Sequence, residues 1–308
     1  MEGFEGQILA AVIFVSIVAL VFVLAVAAII RAFSKRPAGR TQFLVDRISL
    51  VLALLGLACI AYGYYVEPYR LTRSRVAIRS PKIPPASVVR ILHFSDLHSD
   101  PTPRLEPELP AAVAAERPDI IVFTGDAINS AESLSVFKST LTSVARLAPT
   151  FAVKGNWDST WSTMGLFDGT GVHELNDSSE RLVIRGTPIW IVGFAAGNDH
   201  LSNASISSIP SDEFSVLLYH YPDMLSEAAA RHIDLYCAGH THGGQVALPL
   251  YGALITLSKF GKRYEAGLYR EGDTSMYVNR GIGMEGGRAP RVRFWSSPEL
   301  TVIDISSN

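Results

Sequence analysis

Seven polar side chains, spread from residue 96 to residue 242, constrain the fold of this chain more than any other feature. Most of them follow a short apolar run that is typical of a buried strand. They are Asp96 and His98 in F-S-D-L-H, Asp126 in F-T-G-D, Asn156 in K-G-N-W-D, His220 in L-L-Y-H-Y-P-D, and His240 and His242 in A-G-H-T-H-G-G-Q. We therefore expect a sheet-based fold that brings these distant residues to one cleft.

The residue types of this set indicate a metal site. Carboxylate and imidazole together suit divalent Mn, Fe or Zn better than Ca, which prefers oxygen ligands alone. Seven donors exceed the needs of one four-coordinate ion, whereas two ions that share a bridging carboxylate would use them all. Two ions about 3.5–4 Å apart form the usual clamp for in-line attack on a phosphate ester. The set predicts a phosphoesterase with two divalent ions; we expect Mn²⁺, with Fe, Zn or Co as alternatives.

Composition excludes several other classes. The formal net charge of -2 gives no basic surface, so we expect no nucleic acid partner. Cys59 and Cys237 both lie in apolar stretches, which indicates neither a disulfide framework nor a cysteine-rich zinc site. The sequence does not predict an oligomeric state.

Two apolar runs predict transmembrane helices at about residues 8–30 and 48–66. The first has Ser16 as its only clearly polar residue and, as a helix, would be roughly 35 Å long, enough to cross a bilayer. A cleaved signal peptide is the alternative, but the preceding segment carries Glu2 and Glu5 and no basic residue. The second run ends in a tyrosine cluster at Tyr62, Tyr64 and Tyr65, which suits a membrane interface.

Charge predicts the orientation of this multi-pass anchor in a bacterial cytoplasmic membrane. The loop between the helices is basic, with Arg31, Lys35, Arg36, Arg40 and Arg47, which favours the cytoplasm. The segment after the second helix is also basic, with Arg70, Arg73, Arg75, Arg79 and Lys82, and opposes that argument. Because no positive charge precedes the first helix, we expect the catalytic domain on the extracytoplasmic side.

We divide the chain into an anchor (1–66), a basic stalk (67–87) and a catalytic domain (88–308). Pro81, Pro84 and Pro85 predict that the stalk has no regular structure. The patterns beyond it predict strands at 88–94, 120–123, 150–153, 181–184, 189–194, 214–219, 235–238, 275–278 and 300–305, and helices at 109–116, 131–147 and between 222 and 231. Many strands with interspersed helices predict an α/β fold of two packed sheets flanked by helices.

The order D-x-H, G-D, G-N, a lone H and G-H-x-H resembles the calcineurin-like metallophosphoesterases, over roughly Arg90 to Ile305. G-H-T-H-G-G-Q, Y-V-N-R-G-I-G and S-P-E-L are similar to segments of a membrane-associated bacterial subgroup. That subgroup includes metal-dependent phosphatases and UDP-2,3-diacylglucosamine pyrophosphohydrolases. The resemblance implies a four-layer α-β-β-α sandwich of two mixed sheets that hydrolyses a phosphoester or pyrophosphate bond.

The resemblance also implies roles for single residues. The ligands would form two sets, Asp96, His98 and His242 for one metal and Asn156, His220 and His240 for the other. Asp126 would bridge the ions, which would lower the pKa of a shared water and supply hydroxide as the nucleophile. Asp126, Asn156 and Trp157 are the residues that we expect to act in catalysis. The implied substrate is a phosphorylated small molecule or a lipid-linked phosphate at the bilayer.

Trp157 departs from the family pattern, which has histidine after G-N. That histidine contacts the phosphate, and loss of a general acid costs about 10²–10⁴-fold in rate. Either the leaving group needs no acid, or His173 or His200 supplies one, or the protein is a weak or inactive membrane-tethered phosphate-binding protein. A purely structural soluble part is a further alternative.

The arginines near the C-terminus, Arg280, Arg288, Arg291 and Arg293, are interpreted as a solvated rim, with phosphate contact as the alternative.

Overall fold

The computed structural model describes residues 4–34, 39–197, 200–286 and 291–307, so Lys35, Arg36 and Arg288 lie outside the described residues. The strands, in chain order, are β1 Thr72–Arg79, β2 Val88–Phe94, β3 Ile120–Phe123, β4 Thr150–Ala152, β5 His173–Glu174, β6 Ser178–Ile184, β7 Thr187–Phe194, β8 Phe214–Tyr219, β9 Leu235–Ala238, β10 Ala247–Leu248, β11 Gly252–Ala253, β12 Gly267–Glu271, β13 Thr274–Val278 and β14 Glu299–Ser306. The α-helices are α1 Phe4–Phe33, α2 Arg40–Tyr65, α3 Leu109–Glu116, α4 Leu134–Ala145, α5 Asn203–Ile206 and α6 Leu225–Ala230.

Twelve of these strands form two mixed sheets of six. The first has the order β1-β14-β2-β3-β4-β5, and the second has the order β12-β13-β9-β8-β7-β6. In the first sheet β2, β3 and β4 are parallel, and β14 runs antiparallel to β2. In the second, β7, β8, β9 and β13 are parallel, and the edge strands β6 and β12 are antiparallel to their neighbours. The parallel strands therefore end together at one edge of each sheet.

Alternation along the strands builds four layers, because successive side chains point to opposite faces of a sheet. Ile91 and Val122 of the first sheet pack against Val216 of the second sheet in the central core. Their chain neighbours Leu92 and Ile121 belong to a separate core with α3 and α4. A third core joins the outer face of the second sheet to α5 and α6. The expected α-β-β-α sandwich is confirmed.

Most predicted elements match the structure closely. Strands β2, β3, β8 and β9 and helix α3 have the predicted bounds, and the helix predicted over 131–147 is α4 preceded by a short 3-10 turn. The predicted hairpin is β6 and β7, joined through Arg185 and Gly186. Both turn residues have positive φ, as a two-residue hairpin turn requires.

The segment predicted to be an irregular stalk contains a strand instead. Strand β1 pairs in parallel with β14 over eight residues, and Ile78 lies in the central core. Its side chains alternate, with Arg73, Arg75 and Arg79 exposed, so the basic residues form the outer face of a strand. The prediction was wrong because all three prolines follow the end of this strand. The boundary between anchor and catalytic domain stays a prediction.

Helices α1 and α2 are each long and apolar enough to cross a membrane, and they pack side by side. Helix α2 starts at Arg40, before the predicted apolar run. In this added part, Asp46 accepts hydrogen bonds from Arg31 and Gln42 at 3.1 and 2.8 Å. At the other end of α2, the Gly63 carbonyl accepts a hydrogen bond of 3.0 Å from the Arg293 amide. Helix α2 therefore contacts the catalytic domain directly, and α1 contacts α2 through the Arg31–Asp46 hydrogen bond.

Candidate metal centre

The seven predicted donors all follow the carboxyl ends of strands. Asp96 and His98 follow β2, Asp126 follows β3, Asn156 follows β4, His220 follows β8, and His240 and His242 follow β9. Parallel strands end at the same edge of a sheet, which is where ligand sites of α/β folds form. Two groups of potential ligands meet there within 4.8 Å, namely Asp96, His98 and His242, and Asp96, Asp126 and His220.

The two carboxylates lie at the centre of this cluster. Asp126 Oδ2 lies 3.4 Å from His98 Nε2 and 3.2 Å from His220 Nε2. Asp96 Oδ1 lies 3.5 Å from His242 Nε2 and 3.9 Å from His220 Nε2. Asp96 also accepts hydrogen bonds of 3.1 Å from the amide of His240. Except for His240, these residues are at most 4% exposed, so water screens their charges poorly.

The remaining donors extend the cluster towards solvent. His240 Nδ1 lies 3.1 Å from Asn156 Oδ1, and both residues are partly exposed. The rings of His220 and His240 meet edge to face at 5.2 Å. All seven predicted residues thus lie in one connected cleft at the joint edge of the two sheets.

Backbone conformation shows that the loops are shaped for this site. Asp96, His98, Asp126, His240 and His242 all have φ between 38° and 71°. Non-glycine residues adopt this region at a cost of about 1–3 kcal/mol each, and such residues cluster at functional sites. The surrounding packing therefore stabilises backbone conformations that bring these side chains into the cleft.

Two glycines allow the loops to approach each other. A Cβ atom at Gly155 would collide with the Asp126 carboxylate, and one at Gly239 would collide with Ser95 and the Asp96 carboxylate. Each carboxylate therefore fills the space beside the bare Cα of a neighbouring loop. The G-N and G-H motifs need glycine at these two positions for this reason.

Asp158 is a site residue that the sequence reasoning missed. Its buried carboxylate accepts hydrogen bonds from the amides of Asp126, Ala127 and Gly155 at 2.9, 2.8 and 2.7 Å. It therefore joins the loop after β3 to the loop after β4. Burial and the nearby Asp126 raise the pKa of Asp158 to about 6. Its position in G-N-W-D, just after a predicted ligand, was the available signal.

Two buried imidazoles have one ring nitrogen fixed by the protein and one that has no hydrogen bond. His220 Nδ1 donates to the Thr124 carbonyl at 2.6 Å, and His98 Nδ1 lies 3.0 Å from Asn129 Oδ1. Within the described residues, Nε2 of both rings lacks a hydrogen-bond partner. Metal-binding histidines usually anchor their second nitrogen in this way. The donor set therefore fits divalent cations.

Electrostatics in the cleft favour added positive charge. Burial opposes charge on His220, but Asp126 and Asp96 outweigh it and raise its pKa to about 10. Burial likewise opposes ionisation of Asp126, but His220 and His98 bring its pKa well below the ordinary value. Burial raises the pKa of Asp96 to about 6 and lowers that of His240 to about 4. The two carboxylates thus favour positive charge on or between the imidazoles of His220 and His98.

One of the C-terminal arginines, Arg293, differs from the expected solvated rim. Arg293 is fully buried and lies 3.3 Å from His242 Nδ1. It donates to carbonyls of Gly283, Arg280 and Ser296, and burial lowers its pKa to about 9. Arg280 pairs with Glu299, and Arg291 with Asp100. Arg293 is therefore part of the support of His242, and the rim interpretation was wrong for this residue.

Trp157 lies beside the cluster where the family has histidine. Its ring meets His98 edge to face at 5.4 Å, and its amide donates to Asp126 Oδ1 at 2.9 Å. Its side chain also hydrogen-bonds to Glu285, whose pKa is raised by burial. His173 and His200, the alternative acids, are exposed residues next to Glu180 and Glu227 respectively.

The family model for calcineurin-like phosphoesterases matches residues 89–244, a range that includes all seven donors. The chain is a member of this family. The expected resemblance is thereby confirmed, and with it the enzyme class of metallophosphoesterases. Members of the family hold a dinuclear metal centre, and this chain places the matching donor types in one cleft.

Curated relatives match along most of their length. The chain is 32% identical to the metallophosphoesterase YkuE of Bacillus subtilis, over 87% of this chain and 98% of the relative. It is 30% identical to the phosphodiesterase YaeI of Escherichia coli, over 87% of this chain and 99% of the relative. It is 26% identical to the UDP-2,3-diacylglucosamine pyrophosphatase LpxG of Chlamydia muridarum, over 79% of this chain and 91% of the relative.

Proposed function

We propose that this protein hydrolyses a phosphoester or pyrophosphate bond with the help of two divalent metal ions. One observation carries the proposal: the Nε2 atoms of His98 and His220, which make no hydrogen bond within the described residues, converge on the buried carboxylate of Asp126. Buried polar atoms without partners are rare and call for an explanation. Cations bound between these groups would supply one.

The ligand sets that we propose follow the geometry of the cleft. Asp96, His98 and His242 would hold one ion, and Asn156, His220 and His240 the other. Asp126 lies between a histidine of each set, as a bridging carboxylate must. We expect Mn²⁺, with Fe, Zn or Co as alternatives, because the set mixes imidazole and carboxylate.

Bound ions would supply an acidified water at neutral pH and offset the negative charge of the phosphoryl oxygens. The protein itself would orient and shield the substrate. Asn156 would place an amide beside the phosphate, and Trp157 would cover His98 and present an apolar ring to the substrate. Asp96 and Asp126 are the two carboxylates among the seven proposed ligands, so the two ions would leave net positive charge towards a phosphate.

We propose a lipid-linked or nucleotide–lipid phosphate as the substrate class. Support comes from the two apolar helices that meet the catalytic domain and from the similarity to LpxG, a UDP-2,3-diacylglucosamine pyrophosphatase. A good leaving group such as a nucleotide phosphate would also explain why Trp157 is tolerated in place of a general acid.

The decisive assay measures hydrolysis of bis(4-nitrophenyl) phosphate by the purified protein with added Mn²⁺. We expect the wild type to exceed Asp126→Asn by at least about 10²-fold, because the variant loses the bridging charge. Equal rates of hydrolysis for the wild type and Asp126→Asn would refute the proposed catalytic activity. A large gain in Trp157→His alone would favour the second candidate, a weak or inactive phosphate-binding protein, which the Trp157 substitution motivates.

We also propose that the catalytic domain faces the extracytoplasmic side of the cytoplasmic membrane, because the segment between the two apolar runs is basic, with Arg31, Arg40 and Arg47. Ser208→Cys places a thiol on an exposed surface position of the domain. A membrane-impermeant maleimide should label it in intact cells. Labelling that requires cell lysis would instead place the domain in the cytoplasm.

A further inference from the structure

An apolar cavity of about 720 Å³ opens beside the candidate metal centre. Its lining includes Trp157, His240 and His242. The first membrane helix adds Ala11, Phe14 and Val15 to the lining, and a loop of the catalytic domain adds Leu254, Ile255 and Leu257. The cavity thus connects the reactive cleft to a helix that is apolar enough to lie in a bilayer.

A specific polar contact fastens α1 at this cavity. Gln7 is only 1% exposed, and its side-chain oxygen accepts a hydrogen bond of 2.8 Å from the Thr256 amide. The hydroxyl of Thr256 lies 3.3 Å from the same oxygen. Gln7, Ala11 and Phe14 are spaced by four and three residues, so they lie on one face of the helix. This contact therefore turns Ala11 and Phe14 towards the catalytic domain.

The loop of the catalytic domain that lines the cavity carries exposed apolar side chains. Leu250, Tyr251, Leu257 and Phe260 are each at least 38% exposed, and the Lys262 ammonium lies 4.1 Å from the centre of the Tyr251 ring. Exposed apolar groups with adjacent cations are typical of surfaces that lie in a membrane interface. The mouth of the cavity would then open at the bilayer rather than into bulk water.

We propose that this cavity holds the hydrocarbon tail of the substrate while the phosphate lies at His240 and His242. Ala11, Phe14 and Val15 would determine which tails fit, so the membrane helix is part of the substrate site as well as an anchor. The volume lies within the range of about 300–1,000 Å³ typical of small-molecule sites. This inference rests on the proposed hydrolysis for the head group, whereas tail binding is a separate property.

A series of 4-nitrophenyl alkyl phosphodiesters that differ only in the alkyl chain tests it. The full-length protein is assayed with Mn²⁺ in mixed micelles of fixed composition, with methyl, octyl and hexadecyl esters. We expect kcat/KM of the wild type to rise by at least about tenfold from methyl to hexadecyl. Ala11→Phe narrows the cavity, so the ratio of kcat/KM for the hexadecyl ester to kcat/KM for the methyl ester should fall to about one. Ala19→Phe, at an exposed position of the same helix, is the matched control.

Binding of a fluorescent hexadecyl phosphonate, followed by anisotropy, decides the question even if no ester is cleaved. Weaker binding to Ala11→Phe than to Ala19→Phe supports the tail site. Equal binding and an equal chain-length response in the two variants would overturn it and leave ordinary bilayer lipid as the occupant. Loss of hydrolysis for every ester, with selective phosphonate binding retained, would reject the proposed reaction but keep the tail site.

Discussion

Asp158 illustrates how one side chain positions others at the candidate centre. Because its carboxylate accepts three amide hydrogen bonds, Asp158→Asn would place an NH₂ donor against N–H donors. We expect a loss of about 3 kcal/mol in the free energy of unfolding, or about 6–12 °C in Tm. Hydrolysis should fall as well, since Asp126 and Asn156 lie on the two joined loops. Thermal unfolding with exposed Asp212→Asn as the control measures this; a Tm equal to the control would contradict it.

His93 makes stability depend on pH. It is fully buried, its Nε2 lies 2.9 Å from Thr124 Oγ1, and burial lowers its pKa to about 3. Below the ordinary pKa of 6.5 the unfolded chain binds a proton that the folded chain does not. Stability is therefore lost as the pH falls from about 6.5 towards 3, by about 2 kcal/mol at pH 5.

His93→Gln should reduce that pH dependence, because glutamine keeps a polar group near Thr124 but does not titrate. The measurement is Tm at pH 7 and pH 5 for the variant, the wild type and exposed His232→Gln. We expect the smallest change between the two pH values in His93→Gln. If the Tm of all three proteins falls by the same amount between pH 7 and pH 5, His93 is not the source of the pH dependence.

At the scale of elements, strand β1 is part of the catalytic domain, although the domain was predicted to begin at residue 88. A fragment of residues 88–308 would expose the edge of β14 and remove Ile78 from the core. We expect it to aggregate or to unfold at a lower temperature than a fragment of residues 67–308. Loss of one buried isoleucine side chain alone costs about 2 kcal/mol, and an unpaired edge favours association. Equal Tm and equal monomer content on size-exclusion chromatography would contradict this.

The elements that the sequence predicted well are those with local signals. Continuous apolar runs predicted the strands Ile120–Phe123 and Phe214–Tyr219, and Gly186 predicted the hairpin turn. Strand β1 was missed because its alternation lies in a basic segment next to prolines. Its stability comes from pairing with β14, more than 200 residues away along the chain. Pairing at such distances leaves no local pattern to read.

The candidate site shows the same division. The donors were predictable because each follows a strand and the family order is distinctive. The burial of Arg293 against His242 was not, since an arginine in a loop is usually solvated. Asp158 supports the loops through hydrogen bonds from backbone amides, and Asn129 does so through its contact with the His98 ring nitrogen. Such contacts do not follow from the periodic spacing of apolar residues, so the sequence pattern does not predict them.

At the scale of the whole molecule, metal binding should couple the two sheets. His98 and Asp126 come from the first sheet and His220 and His242 from the second, so shared cations would link both halves of the sandwich. A ligand at 100 times its Kd stabilises a protein by about 2.7 kcal/mol. Chelation with EDTA should therefore lower the Tm by about 5–10 °C, and added Mn²⁺ should restore it.

Asp126→Asn provides the test of that coupling, because it removes charge from the metal-free cluster as well as a ligand from the loaded one. We expect Mn²⁺ to raise the Tm of this variant far less than that of the wild type. Elemental analysis should also find fewer Mn²⁺ ions per chain in the variant. Exposed Asp212→Asn should respond like the wild type. If Mn²⁺ raises the Tm of both variants equally, the ions bind elsewhere, and the converging imidazoles of His98 and His220 must have another explanation.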